Sequence, residues 1–434
     1  MAYTFKGGLH PNDNKKTTEG KSIVELAAPA VLSIPLLQHI GAICEPIVSV
    51  GDNVYIGQKI ADSKAFVSVP IHSSVSGKVI AIEKRPHSVV GDCMSIIIEN
   101  DFKDDIHPSI KPIKEFDSLS TKELLSHIRE SGIVGMGGAT FPTFIKLSIP
   151  EGKAVDTVII NGAECEPFLT ADHRVMIERS FDVVDGLKIF LKILNVSNGI
   201  IAIEDNKKEA YETIKKEIKD TSNIKVILVK TKYPQGAEKQ IIEAVLNRQV
   251  PSGKLPIDVG VVVQNVATCA EISTYFKTGI PLIKRVLTVS GSGTINPQNL
   301  LVRIGTPFSY IADNVKIKDD IKKIICGGPM MGITQFSLDA SVIKGTSGLL
   351  FFTDIEHKEY KTSDCLRCGR CVDNCPLRLM PFMIVGSAKI NDFEKSEKYG
   401  LKDCCECGVC SYICPSRIRL VQTIKTTKAK LLNK

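Results

Sequence analysis

Eight cysteines near the end of the chain stand in two copies of one pattern. The first copy reads Cys365-Leu-Arg-Cys368-Gly-Arg-Cys371-Val-Asp-Asn-Cys375-Pro376, and the second reads Cys404-Cys-Glu-Cys407-Gly-Val-Cys410-Ser-Tyr-Ile-Cys414-Pro415. Both are C-x2-C-x2-C-x3-C-P, the spacing of bacterial [4Fe–4S] ligation. Three thiolates on a tight loop reach three irons of a cubane, and the fourth thiolate must come from elsewhere. In two-cluster proteins it comes from the other motif. The spacing therefore assigns Cys365, Cys368, Cys371 and Cys414 to one cluster, and Cys404, Cys407, Cys410 and Cys375 to a second. Gly369 and Gly408 permit close backbone approach to the inorganic core, and the prolines turn the chain away after each distant ligand. Paired C-x2-C also builds structural zinc sites, but three cysteines at successive spacings of three followed by Cys-Pro suit a cubane better. Cys405 falls outside the register and reads as a bystander. This end of the chain is equipped to move single electrons.

Composition bounds the rest. At 434 residues the chain is long enough for several domains. Nine of its 14 cysteines lie beyond position 364, which argues for a metal-binding module, not a disulfide framework. Thiolate clusters call for a reducing compartment. The opening residues are polar and lack the apolar run of a signal peptide. The most apolar long stretch, 23–44, is interrupted by Glu25, Pro29, Pro35 and His39 and reads as no membrane span. A net charge of +7 from 55 basic and 48 acidic residues suits an acidic redox partner or an anionic membrane surface. No motif supports nucleic acid.

The elements that must position this chemistry follow in order. Residues 1–28 carry turn formers and lysines and read as a surface segment. Residues 29–105 hold short β-rich runs broken by glycines, at 47–50, 66–70, 77–82 and 95–98, as in a small sandwich or barrel. Residues 101–118 form a linker. Ser120-Thr-Lys-Glu123 is a capping box that starts a helix with Leu124, Leu125 and Ile128 on one face. Gly132-Ile-Val-Gly135-Met-Gly137-Gly138-Ala-Thr-Phe141-Pro142-Thr-Phe-Ile-Lys146 follows a helix, so it is not the dinucleotide fingerprint that joins strand to helix. Its bare N–H groups suit a phosphate or a flavin, with Lys146 as countercharge, and it reads equally well as a structural loop. Strands at 157–160, 199–203, 225–229 and 259–263 then alternate with helices at 172–194, 207–219, 237–247 and 268–277. Continuously apolar strands in that alternation predict a largely parallel α/β sheet.

Polar clusters stand at the strand exits. Asn161-Gly-Ala-Glu164-Cys-Glu166-Pro leaves the first strand, Tyr233-Pro-Gln-Gly236-Ala-Glu238 follows the third, and Gln264-Asn265 closes the fourth. Ligands of open α/β sheets lie beyond the carboxyl ends of the strands, and amides there suit a flavin ring edge or ribityl chain. Each cluster alone also reads as turn chemistry; three at one edge favour a site. Residues 286–352 return to β character, with a turn-rich Gly327–Gly332 loop, and read as a β-grasp-like domain without catalytic residues. Residues 416–434 hold six basic residues and no acid. They read as a helix packed on the cysteine domain through Ile418, Val421 and Ile424, with a membrane contact as the alternative.

Two resemblances attach to these residues. Val50-Gly-Asp-Asn-Val-Tyr-Ile-Gly-Gln58, with Val69-Pro and Val75-Ser-Gly-Lys-Val79, resembles a lipoyl/biotinyl-type barrel-sandwich. Asp62-Ser-Lys64-Ala echoes its carrier-lysine hairpin, with Ser63 inserted between the usual Asp and Lys. The whole chain resembles the C subunit of the Rnf complex, the membrane-bound ferredoxin:NAD oxidoreductase that couples electron transfer to sodium or proton transport. Its middle is similar to the flavin subunit of respiratory complex I, whose glycine loop ends Gly-Phe-Pro-Thr-Gly-Leu-Lys where this chain has Thr140-Phe141-Pro142-Thr-Phe-Ile-Lys146. That resemblance implies non-covalent FMN at Gly135, Gly137, Gly138, Lys146, Asn161 and Glu164, with Phe141 stacking on the nicotinamide nucleotide and Glu166 facing it. Tyr233, Gly236 and Glu238 match the family's Tyr-x-x-Gly-Glu-Glu, and Gln264-Asn265 its Asn-Asn. Thr140 replaces a glycine, and Ala163 and Ala237 replace acids near the flavin, which changes the electrostatics that set its potential.

The implied architecture is multidomain α/β plus small β domains: an N-terminal segment (1–28), a barrel-sandwich (29–105), an FMN/NADH α/β domain (115–285), a β-grasp-like domain (286–352) and a helical two-[4Fe–4S] ferredoxin-like domain (356–434). The implied activity is ferredoxin:NAD+ oxidoreduction, with NAD(H) as substrate. A flavin converts hydride chemistry into the one-electron chemistry that a cluster accepts. The implied partners are other Rnf subunits, integral membrane ones among them, and ferredoxin indirectly. The implied place is the cytoplasmic face of the cell membrane, peripherally. Two alternatives stand beside this reading. One is a free-standing flavin/Fe–S reductase such as a cobalamin reductase, and the other is a lipoyl-type carrier modified on Lys64.

Overall fold

A computed structural model describes residues 2–113, 116–219, 221–358 and 360–432, so the expected boundaries at 115 and 434 lie outside the described residues. The segment read as a surface stretch is a strap. Tyr3 pairs with the backbone at 228–230 (2.9 and 2.8 Å), Gly8 N–H donates to Asn374 O (2.9 Å), and Leu9 exchanges two 2.8 Å bonds with Tyr233. Lys15 and Thr18 are buried, and β1 (Ile23–Glu25) joins, in parallel, the strand at 298–303. Backbone pairing and the burial of isolated apolar residues such as Phe5 and Leu9 hold the strap, a pattern with no strand or helix period.

The barrel-sandwich is built from β2 (Val31–Pro35), β3 (Glu45–Pro46), β4 (Asn53–Val54), β5 (Lys59–Asp62), β6 (Ile71–His72), β7 (Gly77–Pro86) and β8 (Asp92–Asn100). They form sheets ordered β2-β8-β7-β4 and β3-β5-β6, closed over Leu32, Ile34, Ile60, Ile71, Val79, Ile96 and Ile98. Two expected strands are loops. At 47–50 the backbone closes a turn through Ser49 N–H to the Asp52 carboxylate (2.8 Å). At 66–70 the Val69 N–H is paired with His39 Nε2 (3.2 Å) in place of a strand partner. The carrier-like hairpin is pinned, since Arg129 donates to Asp62 Oδ1 (2.8 Å) and to Ser63 O (3.0 Å).

In the α/β domain the Ser120/Glu123 capping box starts α1 (Thr121–Glu130), which buries Leu124 and Ile128. Then come α2 (Thr143–Leu147), β9 (Thr157–Gly162), α3 (Ala171–Glu178), α4 (Ser180–Leu194), β10 (Gly199–Glu204), α5 (Lys208–Glu217), β11 (Ile224–Val229), α6 (Glu238–Leu246), β12 (Val261–Asn265) and α7 (Val266–Thr278). The sheet is ordered β11-β10-β9-β12 and every pairing is parallel, as the apolar strands predict. The helix expected over 172–194 is two helices. Arg179 leaves helical backbone (φ −128°, ψ 32°), and its guanidinium reaches across to Ala270 O (3.2 Å) and Thr274 Oγ1 (2.5 Å) of α7.

The third unit holds β13 (Lys284–Ser290), β14 (Gln298–Arg303), α8 (Phe308–Val315), β15 (Lys323–Cys326), β16 (Ile333–Gln335) and β17 (Gly348–Phe352), in the sheet β1-β14-β13-β17-β15-β16. Helix α8 does not stand out in the sequence among the β-rich runs, although a β-grasp arrangement includes one helix. Its buried Phe308, Ile311, Ala312 and Val315 have helical spacing but are few enough to merge with the β-rich runs on either side. The cysteine unit holds α9 (Arg370–Asp373), α10 (Pro381–Lys389), α11 (Phe393–Lys398), α12 (Val409–Tyr412) and α13 (Leu420–Leu432). Leu420, Val421 and Ile424 of α13 pack with Ile384 and Val385 of α10, as expected for a helix docked on this unit. Among the described residues no helix is long and apolar enough to cross a membrane.

Helices α4 and α7 touch where α4 carries Gly186, whose added Cβ would lie 2.0 Å from Cys269 O. Backbone cannot yield as a side chain can, so Gly186→Ala overpacks the core at a cost of about 1–3 kcal/mol. The measurement is chemical or thermal unfolding; a variant as stable as the parent removes this contact from the core's constraints.

Candidate functional site

The glycine loop is closed at its base, where Gly135 N–H donates to Phe141 O (2.9 Å) and Val134 bridges Pro142. Its middle is anchored from beneath: Met136 N–H donates to Thr268 Oγ1 (2.9 Å), and Met136 O accepts from Arg285 Nη2 (2.7 Å). At Gly137 a Cβ would lie 2.8–3.0 Å from the Asn265 side chain, so only glycine fits, whereas Gly138 faces open space. Residues 137–139 are exposed, and among the described residues no acceptor engages their three N–H groups. Free donors lining an open glycine ridge fit a phosphate or flavin. Phe141 is half-buried at the closing end of the loop. Lys146, on α2, is ion-paired to Glu238 at the first position of α6.

The strand exits converge, and most of their side chains brace one another. Asn161 donates to Gly236 O (2.7 Å) and accepts from Ala163 N–H (3.0 Å), while a Cβ on Gly236 would lie 2.3 Å from Ala163 O. Glu164 is buried with its carboxylate on the N-terminus of α3, accepting from Asp172 N–H (2.9 Å) and His173 N–H (3.3 Å). Its carbonyl accepts from Lys15 of the strap. Glu166 accepts from Met330 N–H (3.0 Å) and Met331 N–H (2.9 Å), which fastens the Gly327–Gly332 turn to this edge. Burial pushes its carboxyl up to about 7 against the pull of those two donors. Asn265 caps α7 through Ala267 N–H (2.8 Å) and donates to Asp172 (2.6 Å). Burial, then the nearby Glu164, raises the Asp172 carboxyl. Gln264 is 2% exposed and its Nε2 has no partner. A buried amide left short of a partner is costly and fits a site made for a polar ligand.

The cysteines line two cavities. One is walled by Cys375, Cys404, Cys407 and Cys410 together with Cys405, Pro376, Ile384 and Ile424. The other is walled by Cys365, Cys368, Cys371 and Cys414 together with Phe382, Ile418 and Leu420. Each thus combines three cysteines of one motif with the last cysteine of the other, in apolar walls. Backbone N–H groups of Arg367, Leu379 and Glu406 point at Cys365, Cys375 and Cys404 sulfurs, each at 3.4 Å. Thiolate donors, apolar walls and N–H···S bonds fit an iron–sulfur cubane. The first cavity abuts the strand exits. Tyr233, 1% exposed, donates its hydroxyl to Cys407 O (2.7 Å), and Gln240 donates to Pro376 O (3.3 Å). Cys365 and Cys368 of the second cavity are exposed.

Residues that sequence reasoning missed lie mostly under the glycine loop. Arg285 and Lys344, both from the third unit, are buried, and Lys344 Nζ donates to Gly132 O (2.7 Å) and Pro70 O (2.8 Å). No neighbouring residue marks Arg285, near the start of β13, or Lys344, in a turn before β17, as buried. Gln235 is fully buried with both amide atoms unpartnered. It sits inside the Tyr233–Gly236 motif, the signal that could have found it.

Comparison with known proteins agrees with this geometry. Residues 3–103 match the RnfC barrel sandwich hybrid domain, 128–274 the Nuo51 FMN-binding domain, and 357–415 a 4Fe-4S dicluster domain. The chain is 47% identical over 430 residues to the C subunit of the Na+-translocating ferredoxin:NAD+ oxidoreductase complex of Acetobacterium woodii, covering 99% of this chain and 97% of that one. It is 50% identical over 385 residues to the proton-translocating counterpart of Clostridium ljungdahlii, covering 88% and 84%. It is 40% identical to the C subunit of the ion-translocating oxidoreductase complex of Rhodobacter capsulatus, covering 99% and 84%. An NAD+-reducing [NiFe]-hydrogenase in the air-oxidized state superposes with a TM-score of 0.50 at 16% identity over 64% of this chain and 54% of that one, a likeness of fold alone. Identity of this extent along nearly the whole chain places it in the RnfC family, the C subunits of the ion-translocating ferredoxin:NAD+ oxidoreductase (Rnf) complexes.

Proposed function

We propose that the glycine loop and the strand exits would hold FMN and admit NAD(H), that the two cysteine cavities would hold the two [4Fe–4S] clusters, and that Tyr233 and Cys407 form the wall between the two kinds of site. The chain is the FMN- and iron–sulfur-bearing electron-transfer subunit of an ion-translocating ferredoxin:NAD+ oxidoreductase. The observation that carries the detailed reading is the shared wall, where Tyr233, Leu9, Cys407 and Val409 form one buried cluster with Cys165 and Met330 packed against it. When bound, FMN supplies the exchange between hydride and single-electron chemistry. The protein's part is to orient that group and to bring a cysteine cavity against it.

Each named residue has a place in this reading. Gly135, Gly137 and Gly138 give the ridge, and its free N–H groups meet an anionic or polar edge of FMN. Gln264 Nε2 contributes a donor, while Asn161, Gly236, Asn265 and Glu164 keep the ridge and its neighbours in register. Lys146 and Glu238 face the same region as a pair, and Phe141 and Glu166 border the side where the nicotinamide nucleotide enters. Cys375, Cys404, Cys407 and Cys410 hold the cluster next to the flavin, and Cys365, Cys368, Cys371 and Cys414 hold the outer one. The exposed outer loop, with Arg367 and Arg370, suits an acidic iron–sulfur partner on the route to ferredoxin. Other subunits, integral membrane ones among them, hold the chain peripherally at the cytoplasmic face.

Three outcomes are expected. Cys375→Ser damages the cluster of Cys404, Cys407 and Cys410 and spares the other; EPR loss confined to the Cys365/Cys368/Cys371 cluster would contradict the crossed ligation. Cys405→Ala keeps about eight irons per chain, and a fall to roughly half in iron analysis would make Cys405 a ligand. Lys146→Ala removes a charge-assisted contact worth on the order of 1.5–3 kcal/mol and weakens FMN retention about 10- to 100-fold, with cluster EPR unchanged. Full flavin occupancy in that variant takes Lys146 out of the site.

A further inference from the structure

Arg285 lies on β13, outside the α/β domain, and is 2% exposed. Its Nη2 donates to Met136 O (2.7 Å), its Nε donates to Thr346 O (3.1 Å), and its Nη1 lies 3.7 Å from Met136 Sδ. Among the described residues it makes no direct ion pair; Asp172, Glu271 and Glu164 act on it only through space. A buried guanidinium spent on main-chain oxygens is unusual, because leaving water is costly unless the donors are well used. What it gains is control of one peptide plane.

That plane is the bond between Met136 and Gly137. In a trans peptide the C=O and the following N–H point in opposite directions. With Met136 O drawn down to Arg285, the Gly137 N–H points to the other side, toward the exposed and unpartnered ridge of Gly137, Gly138 and Ala139. Thr268 fixes the same residue from its other end by accepting Met136 N–H (2.9 Å). Gly137 has no Cβ to resist a peptide flip, so without these two anchors the ridge samples both orientations. We infer that Arg285 is a positioning residue for the cofactor: it locks the Met136–Gly137 peptide so that the Gly137 N–H is presented to FMN. The inference rests on the FMN reading of the glycine loop. It gives a part in flavin binding to β13, which the structure places in the third unit although the expected boundary at 285 left Arg285 at the end of the α/β domain.

The test uses the full chain, flavin-stripped and re-titrated with FMN, in Arg285→Met, Arg285→Lys and Thr268→Val forms. Met keeps apolar bulk and removes every donor; Lys keeps the charge but not the planar fork. The expected result is a rise in FMN Kd of about tenfold or more in Arg285→Met, a rise only partly reversed by Lys, and a rise in the same direction in Thr268→Val. Amide hydrogen exchange in flavin-free protein should quicken at Gly135 and Met136, whose N–H groups are partnered in the parent, a readout of the locked loop that needs no activity. If Arg285→Met does not fold, Thr268→Val, nearly isosteric, carries the test alone. Parental FMN affinity in folded variants, unchanged exchange at Gly135 and Met136, or full rescue by Lys overturns the inference. Failure of the parent chain itself to rebind FMN would instead sink the site reading on which it rests.

Discussion

A single hydrogen bond, from the Tyr233 hydroxyl to the Cys407 carbonyl, marks the constraint on which the rest depends: the strand exits of the parallel sheet and the nearer cysteine cavity, built by distant parts of the chain, share a wall. The phenol is buried, so its donor would be costly to leave unpaired, and the acceptor belongs to a cysteine that lines the nearer cavity. Around this contact lie Leu9 from the strap and Met330 from the third unit. Four parts of the chain thus meet at one point. Gly8 donating to Asn374 O and Leu9 pairing with Tyr233 show how the strap holds the two sides together.

The second recurring device is the buried cation spent on backbone. Lys344 holds Gly132 O and Pro70 O, Arg285 holds Met136 O and Thr346 O, and Lys15 holds Glu164 O. Hydrogen bonds from charged donors are worth about 1.5–3 kcal/mol each, which offsets part of the desolvation of the charge. Their common effect is to fix loop backbone that has no sheet or helix to fix it. The cations come from outside the α/β sheet, so the glycine loop and the first strand exit are held in part by neighbouring units.

Glu164 and Glu166 show how a motif can be legible while its internal division of labour is not. Both stand at the strand exit, as the motif implies. Yet Glu164 turns onto the N-terminus of α3 and Glu166 onto the Met330–Met331 turn. A carboxylate near unpaired N–H groups will be drawn to them, and those groups belong to segments that no reading of the motif itself includes.

What the sequence by itself determined is local and periodic. The cysteine spacing, the capping box at Ser120, the apolar strands and their alternation with helices each act within a short window, where covalent geometry and burial leave few alternatives, so the parallel sheet could be read directly. The tertiary structure alone decided which apparently bland residues matter. Nothing in the sequence singles out Arg285, residues 1–28 read as a surface segment, and residues 47–50 and 66–70 read as strands. For three of these the deciding partner is far along the chain: Met136 for Arg285, Tyr233 and Glu164 for the strap, His39 for Val69; only 47–50 is closed locally, by Asp52. Backbone donors and acceptors must be satisfied by whatever the fold brings near, and sequence proximity carries no record of that choice.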